Sequence, residues 1–242
     1  MRLLSIAIAL SVMGSFGSLL VASGLLVLRE PLRRGVVPWL VSYAVGTLLG
    51  VALLDVLPEA LSEMPPNRMF GTLLAGIIIF FVLEKVVLWH CHADECEAHT
   101  RPASLVLIGH GLHSFVDGAV IGAAVHMDVR LALTAAIAIA AHEIPQQVGD
   151  FAILLHAGYQ RGRAMSLSVL SAAGAIAGTL VAFFAFVHTP NLLPYALAFA
   201  AASFIYIALA DLVPGLHHGR VDASSVRQLV LVCAGIVTAM LL

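Results

Sequence analysis

Apolar residues in this chain come in unbroken blocks rather than in alternation, and polar residues fall in narrow gaps between them. The blocks run to about 20 residues or more, the length a helix needs to cross a hydrocarbon core of about 30 Å. Strands of a membrane barrel would read instead as runs of about 10 alternating residues. Eight spans are predicted, at about 3–28, 36–58, 69–89, 103–126, 131–158, 164–187, 192–213 and 228–242. Between them lie REPLRR, EMPPNR, HCHADECEAHTRP, MDVR, YQRGR, HTPN and PGLHHGRVDASSVRQ, stretches whose Pro, Gly and charged residues stop or start helices. The first apolar run, about 26 residues, exceeds the roughly 7–15 of a signal-peptide core and reads as a span. Residues 1–242 are therefore expected to form a single transmembrane domain.

Composition sharpens this picture. The chain is 61% hydrophobic and 11% charged, with a mean hydropathy of +1.02, whereas a soluble domain carries about 25% charged residues. The expected class is an all-α membrane protein bathed in lipid. A net charge of −2 gives no reason to expect nucleic acid as a partner. Cys91, Cys96 and Cys233 are too few, and odd in number, for a disulfide framework.

The basic residues set an orientation. Nine of them, Arg29, Arg33, Arg34, Lys85, Arg101, Arg161, Arg163, Arg220 and Arg227, belong to the first, third, fifth and seventh loops. The other three, Arg2, Arg68 and Arg130, lie on the opposite side. Positive charge collects in the cytoplasm, so both termini are expected outside, in a plasma (inner) membrane. The 90–102 loop then faces the cytosol, where thiols stay reduced. A homodimer is left open.

Two spans break the apolar rule. Span 4 contains GHGLHSFVDG, in which His110, His113 and Asp117 are three and four residues apart and share one helix face. Span 5 contains AAHEIPQQVGD, with His142 and Gln146 as one i,i+4 pair and Glu143 and Gln147 as another, rotated by about 100°. With only MDVR between the spans, the two sets meet near the bilayer midplane. An ionisable group there costs about 2.5–3.5 kcal/mol, so Asp117 and Glu143 alone would cost about 5–7 kcal/mol facing lipid. Mutual pairing, a water-filled path or a bound cation must compensate. Imidazole with carboxylate suits a divalent transition metal, and a shell without thiolate suits an ion that must be released. Pro145 leaves the Ala141 carbonyl without its usual donor and predicts a kink.

HEIPQ also resembles the opening of the zinc-protease helix motif His-Glu-x-x-His, but the second histidine is replaced by Gln146. An intramembrane metal-dependent hydrolase is thus one alternative. A metal- or proton-coupled efflux carrier using the same groups is another.

Two further patterns concern assembly. Gly118/Gly122 and Gly174/Gly178 have the four-residue spacing that lets helix backbones approach closely in lipid. LLDVLPEAL in span 2 and LADLVPGLH in span 7 share Asp-x-x-Pro (Asp55/Pro58 and Asp211/Pro214). With the two spans ending on opposite sides, this echo is what an inverted-repeat transporter presents.

HSFVDG and HEIPQQVGDFAILLHAG resemble the paired signatures of the ZIP (Zrt/Irt-like) family of divalent-metal transporters, and the eight spans, LLDVLPEAL, IYIALADLVPGL and the histidine-rich loop after span 3 are similar to that family too. The resemblance implies uptake of zinc or iron toward the cytoplasm by an inverted-repeat bundle of eight helices around central polar helices 4 and 5. It implies a metal site of His113, Asp117, His142 and Gln146 with Glu143 adjacent. Zn²⁺ is the expected transported ion, with Fe²⁺, Mn²⁺, Co²⁺ and Cd²⁺ compatible with the ligands.

The chain departs from the family pattern at Ser114, where many members have Asn, and at Gln146-Gln147, where many have His-Glu. Ala175 stands where members with a second, neighbouring site have Glu. One high-occupancy site is therefore expected. His90, Cys91, His92, Cys96 and His99 make the 90–102 loop a metal sink or sensor in composition, without zinc-finger spacing. Asp55 and Glu59 are candidates for the entrance, and Asp211, His217 and His218 for the exit. His126, His156 and His188 read as interfacial.

Overall fold

A backbone without water must close its hydrogen bonds within its own segment, and in the computed structural model every described element is a helix. The structure describes residues 2–90, 103–216 and 223–241. Eight helical segments follow in order: α1 (Arg2–Val27), α2 (30–63), α3 (Pro66–His90), α4 (Ala103–Met127), α5 (Val129–His156), α6 (Arg161–His188), α7 (190–216) and α8 (Ala223–Leu241).

Local chemistry sets the breaks. Asp128, in extended conformation, caps α5 through its side chain, which accepts from the Arg130 amide at 3.1 Å, and this single residue turns α4 into α5. At the other end of α5, Gly158 adopts φ +87°. Its amide donates to the Leu155 carbonyl and that of Tyr159 to the Leu154 carbonyl, the paired closure that a left-handed residue makes at a helix end. Pro31, Pro66 and Pro194 sit in first turns, where no amide is needed.

Two expected boundaries move. The last helix begins at Ala223 rather than near 228, because SSVRQ continues the helix of the apolar residues beyond it. The second begins at Glu30 and runs on to Glu63, with Pro38 inside it and Pro58 in the first turn after a change of helix type. Pro145 lies inside α5, which is helical on both sides of it.

Among the described residues, five segments are long and apolar enough to cross a membrane, and Ser225–Leu241 is a shorter apolar helix. Although α4 and α5 are 25 and 28 residues long, they are not among those five, since their ionisable residues dilute the apolar run. They compensate by burial. His110, Ser114, Asp117, His142, Glu143 and Gln147 are all buried, while large apolar side chains on the outer helices, such as Leu20, Leu170 and Leu241, are exposed. The polar residues of α4 and α5 thus lie inside the bundle beside a buried apolar core that includes Leu48, Ile139 and Phe204, while other large apolar side chains cover its outer surface.

Glycine governs the closest packing. A Cβ at Gly118 would lie 1.8 Å from the Ala175 carbonyl oxygen, and one at Gly178 would lie 1.9 Å from that of Phe115. So α4 and α6 interlock reciprocally, as the small-residue spacing predicts. Thr179 Oγ1 adds a hydrogen bond to the Gly118 carbonyl at 2.9 Å. Gly46 and Gly235 do the same between α2 and α8.

The internal echo extends to the backbone. Val51–Val56 and Ile207–Leu212 are six-residue π-helical segments, each with its aspartate, Asp55 or Asp211, in fifth place. Helix pairing follows the same exchange: α2 packs on α8 as α7 packs on α3, and α1 packs on α5 as α6 packs on α4. Swapping 1 with 6, 2 with 7, 3 with 8 and 4 with 5 leaves the pairings unchanged, as expected of two repeats enclosing α4 and α5.

Candidate metal centre

His113 lies fifteen residues before Asp128, and His142 and Glu143 fourteen and fifteen after it. At a 1.5 Å rise per residue, the α4–α5 turn brings these side chains to one depth, in the middle of both helices. One ligand atom from each of His113, Asp117, His142 and Glu143 falls within 4.8 Å of the other three.

The distances among the first three are informative. His113 Nε2 is 3.0 Å from His142 Nε2 and 3.5 Å from Asp117 Oδ2, which is 3.2 Å from His142 Nε2. Tetrahedral ligands bonded at 2.0–2.1 Å to zinc stand about 3.3 Å apart. The three atoms already form one face of such a polyhedron. His142 and Glu143 are fully buried and Asp117 nearly so, whereas His113 keeps 18% of its side chain accessible.

The surroundings orient these ligands. His142 Nδ1 lies 3.0 Å from the Ala138 carbonyl, which can only accept, so Nδ1 carries a proton and a neutral ring turns the Nε2 lone pair inward. Asp117 Oδ1 is buried with no hydrogen-bond partner, an expensive condition for a carboxylate oxygen that a cation relieves. Glu143 is held from two sides, by the Ser114 hydroxyl at 3.2 Å on Oε1 and the Gln147 amide at 2.6 Å on Oε2. Gln147 also reaches the Ser15 carbonyl at 3.4 Å, inside the π-helical segment Met13–Gly17 of α1.

Gln146, the remaining predicted ligand, places its amide nitrogen 3.5 Å from His110 Nδ1. Sequence reasoning gave no role to Asp150, whose Oδ2 is 3.0 Å from His110 Nδ1. Its signal was available, since it lies four residues beyond Gln146 on the same face. The support that Gln147 gives Glu143 matches the i,i+4 pair read in the sequence, whereas the supporting parts of Ser114 and Ser15 had no such signal. His126 hydrogen-bonds the Phe183 carbonyl at 2.9 Å, away from the four. Asp55 Oδ2 is buried without a hydrogen-bond partner, and Glu84 accepts from the Tyr206 hydroxyl. Residues 91–102, with Cys91 and Cys96, and His217 and His218 lie outside the described residues, as do the side chains of His90 and His156.

A helical bundle with apolar exterior, buried imidazoles and carboxylates at mid-depth, and an unpaired carboxylate oxygen is an integral membrane protein with a candidate intramembrane ion or proton site. Comparison with known proteins identifies which. The family profile described as ZIP Zinc transporter matches residues 90–242, and the chain belongs to that family. It is similar to zinc transporter ZIP13 of Pongo abelii (34% identity over 221 residues, 84% of this chain and 65% of that protein). It is similar as well to zinc transporter YKE4 of Saccharomyces cerevisiae (30% over 220 residues, 78% of this chain and 64% of that protein). The chain thus spans just under two thirds of the length of these relatives. They are named as transporters, which lends nothing to the hydrolase reading of HEIPQ.

Proposed function

We propose that this protein carries a divalent transition-metal ion, zinc foremost, across the membrane into the cytoplasm through a site at the midplane of α4 and α5. His113, Asp117 and His142 bind the ion directly, Glu143 completes the shell, and Gln146 borders it one turn further along α5. The single observation behind this reading is the set of four ligand atoms within 4.8 Å, at the centre of two helices, with Asp117 Oδ1 lacking any donor. The names of the relatives support zinc as the cargo. The same nitrogen and oxygen ligands accommodate Fe²⁺, Mn²⁺, Co²⁺ and Cd²⁺.

The inward direction is what the resemblance to the family implies, and the distribution of basic residues supports extracytoplasmic termini in a plasma (inner) membrane. In that orientation the α4–α5 turn at Asp128 is outside, and the ion leaves toward the far ends of both helices. Paired repeats around a fixed site support alternating access, one repeat rocking against the other. The test is zinc flux into sealed proteoliposomes. Saturable uptake is expected from the native chain and none from His142→Ala or Asp117→Asn at equal protein content; uptake surviving both substitutions would reject the site.

A further inference from the structure

Ligand-type side chains continue beyond the four. One turn before His113, the buried ring of His110 turns its two nitrogens to different neighbours. Nε2 faces the Ser114 hydroxyl at 3.4 Å and Glu143 Oε2 at 3.7 Å. Nδ1 faces Asp150 Oδ2 at 3.0 Å and the Gln146 amide at 3.5 Å. Asp150 Oδ2 is buried, yet no hydrogen bond reaches it. The 3.0 Å approach of the imidazole therefore lacks the alignment of a hydrogen bond.

Two ligand atoms so close, and not aimed at each other, fit donors that converge on a common point. Their separation is close to the edge of about 3.3 Å expected between ligands around a zinc-sized ion. The Gln146 amide supplies a third donor, because a half-turn about its terminal bond exchanges nitrogen for oxygen. We propose that His110 Nδ1, the Asp150 carboxylate and the Gln146 amide oxygen form a second, weaker station for a divalent cation. It lies on the side of the central four away from the α4–α5 turn.

This proposal rests on reading the central four as the transport site and adds the next stop on the path. In the orientation proposed above, the second station is the cytoplasmic one. Its ligands are one imidazole, one carboxylate and one neutral amide, against two imidazoles and two carboxylates at the centre. Fewer anionic ligands hold the ion less tightly, and 18% of the Asp150 side chain is accessible where Glu143 has 1%. Glu143 stands between the two sets and can contact an ion moving from one to the other. Gln146 borders both.

Equilibrium dialysis of the purified full-length chain against Cd²⁺ or Zn²⁺, with metal counted per chain, tests the idea. Two ions of separable affinity are expected in the native protein. Asp150→Asn and His110→Ala should each weaken the second ion by at least about tenfold, since even groups behind a ligand are worth 10–100-fold, and leave the first ion in place. Retention of that first ion shows that the variants are folded, and Asp150→Glu, which keeps the carboxylate, should retain both. In flux assays Asp150→Asn should lower the maximal rate while the half-saturating concentration stays unchanged. A native chain that binds one ion at every concentration would overturn the second station, as would full second-site binding in Asp150→Asn and His110→Ala. The central reading fails by a different result, His113→Ala and His142→Ala keeping the first ion unchanged.

Discussion

His142 illustrates how much a single side chain depends on its backbone partner. The Ala138 carbonyl fixes which ring nitrogen is protonated, and that leaves Nε2 free to bind metal beside Asp117 and His113. Glu143 is likewise positioned by Ser114 and Gln147. Gln147→Leu removes the shorter of these bonds, and metal affinity should fall by about 10–100-fold, read as a rise in the dissociation constant by dialysis. The ligands bind metal only when unprotonated. Acidification should therefore weaken zinc binding, by up to about tenfold per pH unit for each proton displaced, and a dissociation constant flat between pH 5 and 8 would contradict imidazole ligation.

Single helices explain why the site has a fixed width. α4 can approach α6 only because Gly118 and Gly178 present no side chain where a carbonyl lies under 2 Å from the missing Cβ. Gly178→Ala should force the helices apart, at a cost of at least about 1–3 kcal/mol from overpacking, seen as a lower melting temperature in detergent with reduced metal binding. Gly24→Ala is the matched control: nothing lies within 4 Å of its added carbon, and stability should be unchanged or slightly raised. Equal melting of the two variants would refute the interlock. The π-helical segments belong to this scale as well. They occur at Met13–Gly17, beside Gln147, and at the two Asp-x-x-Pro positions, in keeping with the tendency of such bulges to mark functional places.

Across the whole molecule, the exchange of pairings between α1–α3 and α6–α8 encloses α4 and α5 on both sides. That arrangement lets two polar helices lie inside a bilayer without facing it. It also makes orientation testable. Asp128, at the α4–α5 turn, and Gln160, just before α6, should lie on opposite sides of the membrane. Single cysteines introduced there in a cysteine-free chain should react with a membrane-impermeant thiol reagent from outside at 128 and only after permeabilisation at 160. The reverse pattern would overturn the proposed orientation of the helices.

The order of spans, the polar faces of the fourth and fifth, and the pairing of Asp55 with Asp211 were readable from one chain, because all depend on spacing along a helix. So was the depth at which His113 and His142 meet, since a one-residue turn leaves two antiparallel helices little freedom of register. Helix ends near prolines were not readable: Pro58 tolerates a helix that has just changed its hydrogen-bond ring, and no local rule announces that change. Nor could spacing rank the ligands. His110 and His113 share a face by periodicity, and only packing divides them, one toward Asp117 and the other toward Asp150. Periodicity is a property of one helix, whereas a coordination shell is a property of distances between helices, and those depend on where α1 and α6 press α4 and α5 together.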